Sequence, residues 1–204
     1  MRKPRRSRAF SMVEMLVALT ITATLLTATM GALDASYKGY QATTEGASTN
    51  VIARMVMHRV MSMIRTGTEF GPYPEDVLDN TMNPLVSSAL EFERSFDEDT
   101  GVRTVVRLER RDQEDATRGP FELWYIETVF TEGVQTSQEA FPLLTGVREL
   151  MFTLEYDVGP RLKRATVDLT VSPNDYQDAS FKAGMAAPAI RLVSSVQPRR
   201  LMDE

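Results

Sequence analysis

A basic leader followed by a long apolar run constrains this chain more than any other feature. Residues 1–9 carry five cations and no acid, and residues 10–33 are apolar or small except for a single charged side chain, Glu14. A run of this length reaches the roughly 20 residues that a helix needs to cross a bilayer. The sequence therefore predicts a transmembrane helix over residues 10–33. The positive-inside rule predicts a cytoplasmic N-terminus and an extracytoplasmic remainder.

A cleaved secretory signal is the first alternative for this segment. Such a signal has an apolar core of about 7–15 residues that ends at a small-residue cleavage site. The run here is longer, and residues 29–31 and 33–35 are poor versions of that site. A cleaved secretory signal also gives no reason for a carboxylate near the start of the apolar run.

Glu14 needs a partner, because a carboxylate at the centre of a membrane helix costs about 2.5–3.5 kcal/mol, and less near an interface. A cut between Ala9 and Phe10 would create an amine with an ordinary pKa of about 8 at the mouth of the helix. That amine would carry a positive charge at neutral pH. It is therefore a candidate partner for Glu14 of the same chain or of a neighbouring chain.

The residues Ala9-Phe10-Ser11-Met12-Val13-Glu14, between the basic leader and MLVALTI, resemble the class III signal of type IV pilins and type II secretion pseudopilins. The resemblance implies that a prepilin peptidase cuts after Ala9 and methylates the new N-terminus at Phe10. It also implies that Glu14 sets the register of each subunit in a helical filament. Ala9 stands where glycine is usual, and alanine is the mildest replacement.

The resemblance also implies a location and a set of partners. The chain would be a single-pass protein of the bacterial inner membrane that is extracted into a type II secretion pseudopilus or a type IV pilus-like filament. The absence of cysteine favours a pseudopilin or minor pilin over a major pilin with a disulfide loop. Size and strand order resemble the J-type pseudopilins, which implies I- and K-type minor subunits as partners and a position at the filament tip.

The remainder predicts an α+β fold, in which a long N-terminal helix packs on an antiparallel sheet. The predicted divisions are a leader (1–9), a transmembrane helix (10–33), a continuation of the helix (34–66) and a β head (67–204). Gly39 and Gly46 predict a thin or bent stretch of helix, and residues 67–84 predict a loop. Apolar spacing predicts a buried helix face made of Val51, Ile52, Met55, Val56, Val60, Met63 and Ile64. Six strands are predicted at residues 89–96, 102–110, 121–131, 147–156, 164–172 and 189–196.

Composition narrows the possible functions. The formal charge of −5 falls to about −10 once the five leader cations are removed, which argues against nucleic acid or anionic lipid as a partner of the head. With one histidine, His58, and no cysteine, the chain has no His/Cys metal cluster or histidine-based nucleophile. We therefore predict no enzyme activity, no cofactor and no metal.

Two further alternatives concern the acidic turn and the anchor. Asp97-Glu98-Asp99-Thr100-Gly101 resembles a partial calcium loop, but its spacing is incomplete and a hairpin turn is favoured. Asp112, Glu114 and Asp115 predict a solvated turn in the same way. An uncleaved single-pass protein with an extracytoplasmic binding domain is the alternative function, and that protein would keep residues 1–9.

Overall fold

The computed structural model describes residues 11–112, 121–159, 161–172 and 189–199 of the 204-residue chain. Helix α1 spans Met12–Thr66 and stays helical through Gly39 and Gly46. Each glycine weakens a helix by only about 1 kcal/mol relative to alanine, so two of them do not end it. The chain forms two compact units, Met1–Thr44 and Glu45–Glu204. The second unit contains the last part of α1 and every described strand.

The second unit contains an antiparallel sheet. Its strands are β1 (Thr68–Gly71), β2 (Leu85–Ser87), β3 (Ala89–Asp97), β4 (Val102–Asp112), β5 (Phe121–Thr131), β6 (Val134–Asp157), β7 (Arg161–Val171) and β8 (Ile190–Val196). Their order across the sheet is β1-β3-β4-β5-β6-β7-β8, and β2 pairs with β6. The predicted α+β fold, a long N-terminal helix packed on an antiparallel sheet, is confirmed.

All six predicted strands are present, but three parts of the sheet were not predicted. These are β1, β2 and the first half of β6, which pairs with β5 while the second half pairs with β7. The turn between β5 and β6 consists of Glu132 and Gly133, both with positive φ. A two-residue turn with this backbone matches the twist of antiparallel strands, so β6 begins immediately after β5 ends.

The core lies between the last part of α1 and one face of the sheet. Helix α1 contributes Ala53, Met57, Val60 and Ile64, whose spacing places them on one side of the helix. Strand β7 shows the predicted alternation, because Val167, Leu169 and Val171 are buried while Asp168 and Thr170 are not. The sheet contributes mainly branched aliphatic and aromatic side chains, among them Leu90, Phe92, Val106, Leu108, Leu123, Tyr125, Leu150, Phe152, Leu154 and Leu169.

The predicted buried face of α1 is wrong at its N-terminal end. Val51, Ile52 and Met55 are 61%, 51% and 68% exposed, whereas Ala53 and Met57 are buried in their place. At 3.6 residues per turn, Val51 lies on the opposite side of the helix from Val60. The helix therefore packs through the stripe that contains the small Ala53. Met63 does pack against the core as predicted.

Gly67, directly after α1, allows the helix to end close to the sheet. A Cβ atom added at Gly67 would lie 2.5 Å from Cδ2 of the Phe92 ring and 3.0 Å from its Cγ. Phe92 is 1% exposed and packs against Phe70 with ring centroids 5.7 Å apart. The ring therefore has little room to move away from an added methyl group.

We expect Gly67→Ala to destabilise the head by about 1–3 kcal/mol, the usual cost of overpacking a core. The midpoint of thermal unfolding of the full chain in detergent should fall by about 2–4 °C per kcal/mol. Gly46→Ala is the matched control, because an added Cβ meets nothing within 4 Å there and alanine favours the helix. A Gly67→Ala midpoint equal to or above that of the parent chain would contradict the proposed close contact.

Candidate functional site

The N-terminal end of α1 is organised around Ser11 and Glu14. The Ser11 backbone N–H lies 3.5 Å from Glu14 Oε2, and the Val13 backbone N–H lies 3.4 Å from Ser11 Oγ. The first backbone bond of the helix runs from Met15 N–H to the Ser11 carbonyl at 3.1 Å. Ser11 thus caps the helix through the amide of its second residue, and Glu14 reaches back to the Ser11 amide as in a capping box. The capping role of Ser11 was not predicted, although the pattern Ser-x-x-Glu before an apolar run is a signal for it.

The threonines of the apolar run need no outside partner. The hydroxyls of Thr20, Thr22, Thr24 and Thr27 donate to backbone carbonyls three or four residues earlier at 2.7–3.0 Å, and Thr29 does the same. Such bonds allow hydroxyl groups to sit within a membrane helix without exposing a free donor. Glu14 is different, because its described hydrogen bond is the long contact to the Ser11 amide.

The first part of α1, residues 12–40, has no buried face. Every described side chain from Ser11 to Tyr40 is exposed, including Leu16, Leu19 and Leu25 at 58%, 69% and 64%. Within the described residues, α1 is the one helix long and apolar enough to cross a membrane. Leucines exposed on a helix without an apolar face buried in its own unit need another apolar phase around them. That phase is a bilayer or the apolar surface of other helices.

The predicted cleavage and methylation positions, Ala9 and Phe10, lie outside the described residues. Their roles therefore stay predictions, as does the filament-register role of Glu14. The structure does place Glu14 in the first turn of α1. A carboxylate there is favoured by the free amides and the positive end of the helix dipole.

The acidic residues of the head do not form a shared ligand site in the described part of the chain. Asp97 accepts hydrogen bonds from the Asp99 amide at 3.0 Å and the Thr100 hydroxyl at 2.7 Å, and β3 pairs with β4 on either side of this turn. The predicted hairpin turn is confirmed. No group of three or more His, Cys, Asp or Glu side chains among the described residues is arranged to hold a metal ion. Asp112 ends β4, and Glu114 and Asp115 lie outside the described residues.

The sheet face away from α1 carries paired charges along β4. Arg103 pairs with Glu93 at 2.6 Å, and Arg107 and Arg111 both pair with Glu109. Burial raises the pKa of the Glu109 carboxyl, but hydrogen bonds from Arg111 and Arg107 outweigh it, and the net pKa is below its usual value. Arg107 also lies 3.7 Å from Glu91, so three arginines and three glutamates balance one another along this open groove.

The comparisons with known proteins bear on the N-terminal segment. Residues 4–30 match the family model of the prokaryotic N-terminal methylation motif. No curated protein and no solved structure is similar enough to the chain to count as a match.

The motif indicates a pilin-type protein that a prepilin peptidase processes and that assembles with other pilin subunits. Together with the apolar first part of α1, it fits a single-pass protein of the inner membrane.

The hydroxyl of Tyr125 lies in a charged cluster of the described head. Its hydroxyl donates to the Glu127 carboxylate and accepts a bond from Arg94 Nη1 at 3.3 Å. Arg94 and Glu127 also form an ion pair at 3.0 Å. Burial raises the pKa of Tyr125 to about 12, and the hydrogen bond to Glu127 and its negative charge act in the same direction.

We expect this cluster to make the head sensitive to alkali. An unfolded tyrosine has a pKa of about 10, so the folded state binds the Tyr125 proton more tightly. The corresponding stability is fully present below pH about 10 and is lost as the pH rises towards 12. A phenolate absorbance titration should show a step near pH 12 that Tyr125→Phe removes, whereas the later step of Tyr156, whose pKa burial also raises, should remain. The free energy of unfolding of that variant, measured with denaturant, should fall less steeply between pH 10 and 12 than that of the parent chain. Titration and unfolding curves that are the same for the variant and the parent chain would contradict this role of Tyr125.

Proposed function

We propose that this chain is a non-enzymatic minor subunit of a type II secretion pseudopilus or a type IV pilus-like filament. On this proposal, prepilin peptidase removes residues 1–9 and methylates Phe10. The first part of α1 then packs among the helices of other subunits. The observation that carries the proposal is that Glu14 is the one ionisable residue in an exposed apolar stretch whose threonine hydroxyls are already satisfied.

Glu14 and the new N-terminus would carry opposite charges near the start of α1. After cleavage, the Phe10 amine lies one residue before Ser11, the N-cap of α1. A carboxylate in apolar surroundings is stable when it pairs with such a cation, and the pair is strongest when water is excluded. Glu14 of one subunit and the amine of a neighbour would therefore fix the axial position of one helix against the next.

The head supports a minor subunit over a major one. A cysteine-free head with an eight-stranded antiparallel sheet supports a minor subunit similar to the J-type pseudopilins. I- and K-type minor subunits would then be its partners, and the filament tip its position. The first part of α1 would anchor the chain in the inner membrane, with the N-terminus in the cytoplasm and the head outside.

We expect the mature chain from native membranes to begin with N-methylated Phe10. Intact-mass and N-terminal peptide analysis would detect the loss of residues 1–9 and the added methyl group. Ala9→Gly is the matched control, because it restores the usual residue before the cut and should be processed at least as completely. A chain that keeps Met1 would favour the uncleaved single-pass protein over a filament subunit.

We expect Glu14→Gln to lower incorporation into filaments about tenfold to 100-fold, because it removes a charge-assisted bond worth about 1.5–3 kcal/mol. Glutamine also serves at this position of a capping box, so helix capping is retained. Immunoblotting of sheared filaments against the membrane fraction would measure incorporation. Ser11→Ala weakens the cap and keeps the charge, so it should assemble far better than Glu14→Gln. Equal incorporation of Glu14→Gln and the parent chain would refute the register role.

A further inference from the structure

Helix α1 carries an exposed apolar patch within the second unit. Val51, Ile52 and Met55 are 61%, 51% and 68% exposed. Their spacing of three and four residues makes them neighbours on one side of the helix. This patch, residues 51, 52 and 55, lies away from the stripe of Ala53, Met57, Val60 and Ile64 that packs on the sheet. The same stretch of helix is therefore apolar on two sides, and the head uses only one of them.

The residues around the patch carry positive or neutral side chains. Arg54, His58 and Arg59 are exposed and lie within one turn of the patch, and residues 50–66 contain no acid. Arg54 Nε donates to Asn50 Oδ1 at 2.7 Å. Among the described residues, Arg54 and Arg59 have no carboxylate partner. Two cations thus border an apolar surface in a chain whose processed charge is about −10.

The charge pattern discriminates among the possible occupants. A second copy of this segment would bring further cations and no carboxylate to the contact, and like charges next to a seam are unfavourable. A membrane surface requires a long apolar face along the helix, but the outward positions after Met55 are His58, Arg59 and Ser62. A helix of another protein, with an aliphatic stripe bordered by carboxylates, matches both the apolar patch and its charged border.

We propose that the patch formed by Val51, Ile52 and Met55 docks such an acidic-bordered amphipathic helix of a different pilin-type subunit, outside the membrane. This inference rests on the proposed function and adds a second contact to it. Glu14 sets the axial register within the apolar phase, whereas the patch selects the partner by shape and charge. Val51, Ile52 and Met55 act as the apolar anchors, and Arg54 and Arg59 exclude partners that lack carboxylates.

The test begins with photo-crosslinking of the full chain in its native membranes. Met55 is replaced by p-benzoylphenylalanine, and the adducts are identified by mass spectrometry of their peptides. Val193 is the matched control position, because it is similarly exposed, at 58%, and lies in β8. We expect the Met55 position to yield one main protein adduct, a different chain that carries the N-terminal methylation motif, and the Val193 position to yield about tenfold less of it.

Paired charge variants test the role of the arginines. Arg54→Glu with Arg59→Glu reverses both charges, and we expect it to lower the adduct yield at Met55 about tenfold, which corresponds to the loss of about two rim charge pairs. Arg54→Lys with Arg59→Lys keeps both charges and should retain most of the yield. Thermal unfolding should be unchanged in both variants, because both side chains are exposed.

Each other outcome overturns the inference. Adducts only with a second copy would make the patch a homodimer surface, and adducts only with lipid would make it a membrane contact. Absence of a protein adduct, or equal yields from the glutamate and lysine variants, would remove the docking role. These failures are distinguishable from failure of the proposed function. A chain that starts at N-methylated Phe10 and needs Glu14 for assembly remains a filament subunit even if Met55 captures nothing.

Discussion

The packing of one helical stripe on the sheet is the interaction on which the second unit depends. Ala53, Met57, Val60 and Ile64 lie in a core that contains no buried polar or charged residue in the described part of the chain, so burial of apolar surface holds the helix in place. The helix end is satisfied by backbone bonds from Gly67 N–H to the Met63 carbonyl and from Arg199 N–H to the Arg65 carbonyl, at 3.0 and 2.8 Å. The chain close to its C-terminus thus contacts the end of the first element.

The same helix must be stable in two different surroundings. In its first part, leucine, isoleucine and methionine side chains are exposed in every direction, which is unfavourable in water and favourable in a bilayer. In its last part, one stripe is buried by the sheet, and Val56, Met61 and Met63 are partly buried beside it, so the large apolar side chains that stay exposed are those of residues 51, 52 and 55. Helix propensity contributes little to this division, since Gly31, Gly39 and Gly46 all lie within α1. The side-chain pattern of each part therefore matches the surroundings in which that part is stable.

Periodicity predicted most of the sheet, because β7 and its neighbours alternate between buried and exposed side chains. The first half of β6 was missed because Gln135, Ser137 and Gln138 are exposed and show no such alternation. That segment is held by backbone pairing with β5 rather than by burial. The prediction that Val51, Ile52 and Met55 are buried was wrong. Two sides of the helix are apolar here, and a hydropathy pattern alone does not distinguish which of them packs on the sheet. Ala53 belongs to the buried stripe, and an alanine contributes little to a hydropathy pattern.

Glu14 was predicted as a charge partner from its isolation, yet its second role as part of the helix cap bears on the mechanism. Within one subunit, the carboxylate already receives a weak bond from the Ser11 amide, at 3.5 Å. On the proposed function, it would also lie close to the positive amine of Phe10 in its own chain. Entry into a filament would then exchange this weak internal partner for the amine of a neighbour, in a site where water is excluded and the charge pair is stronger. Such an exchange specifies the register of the helices, while their apolar contacts supply the affinity.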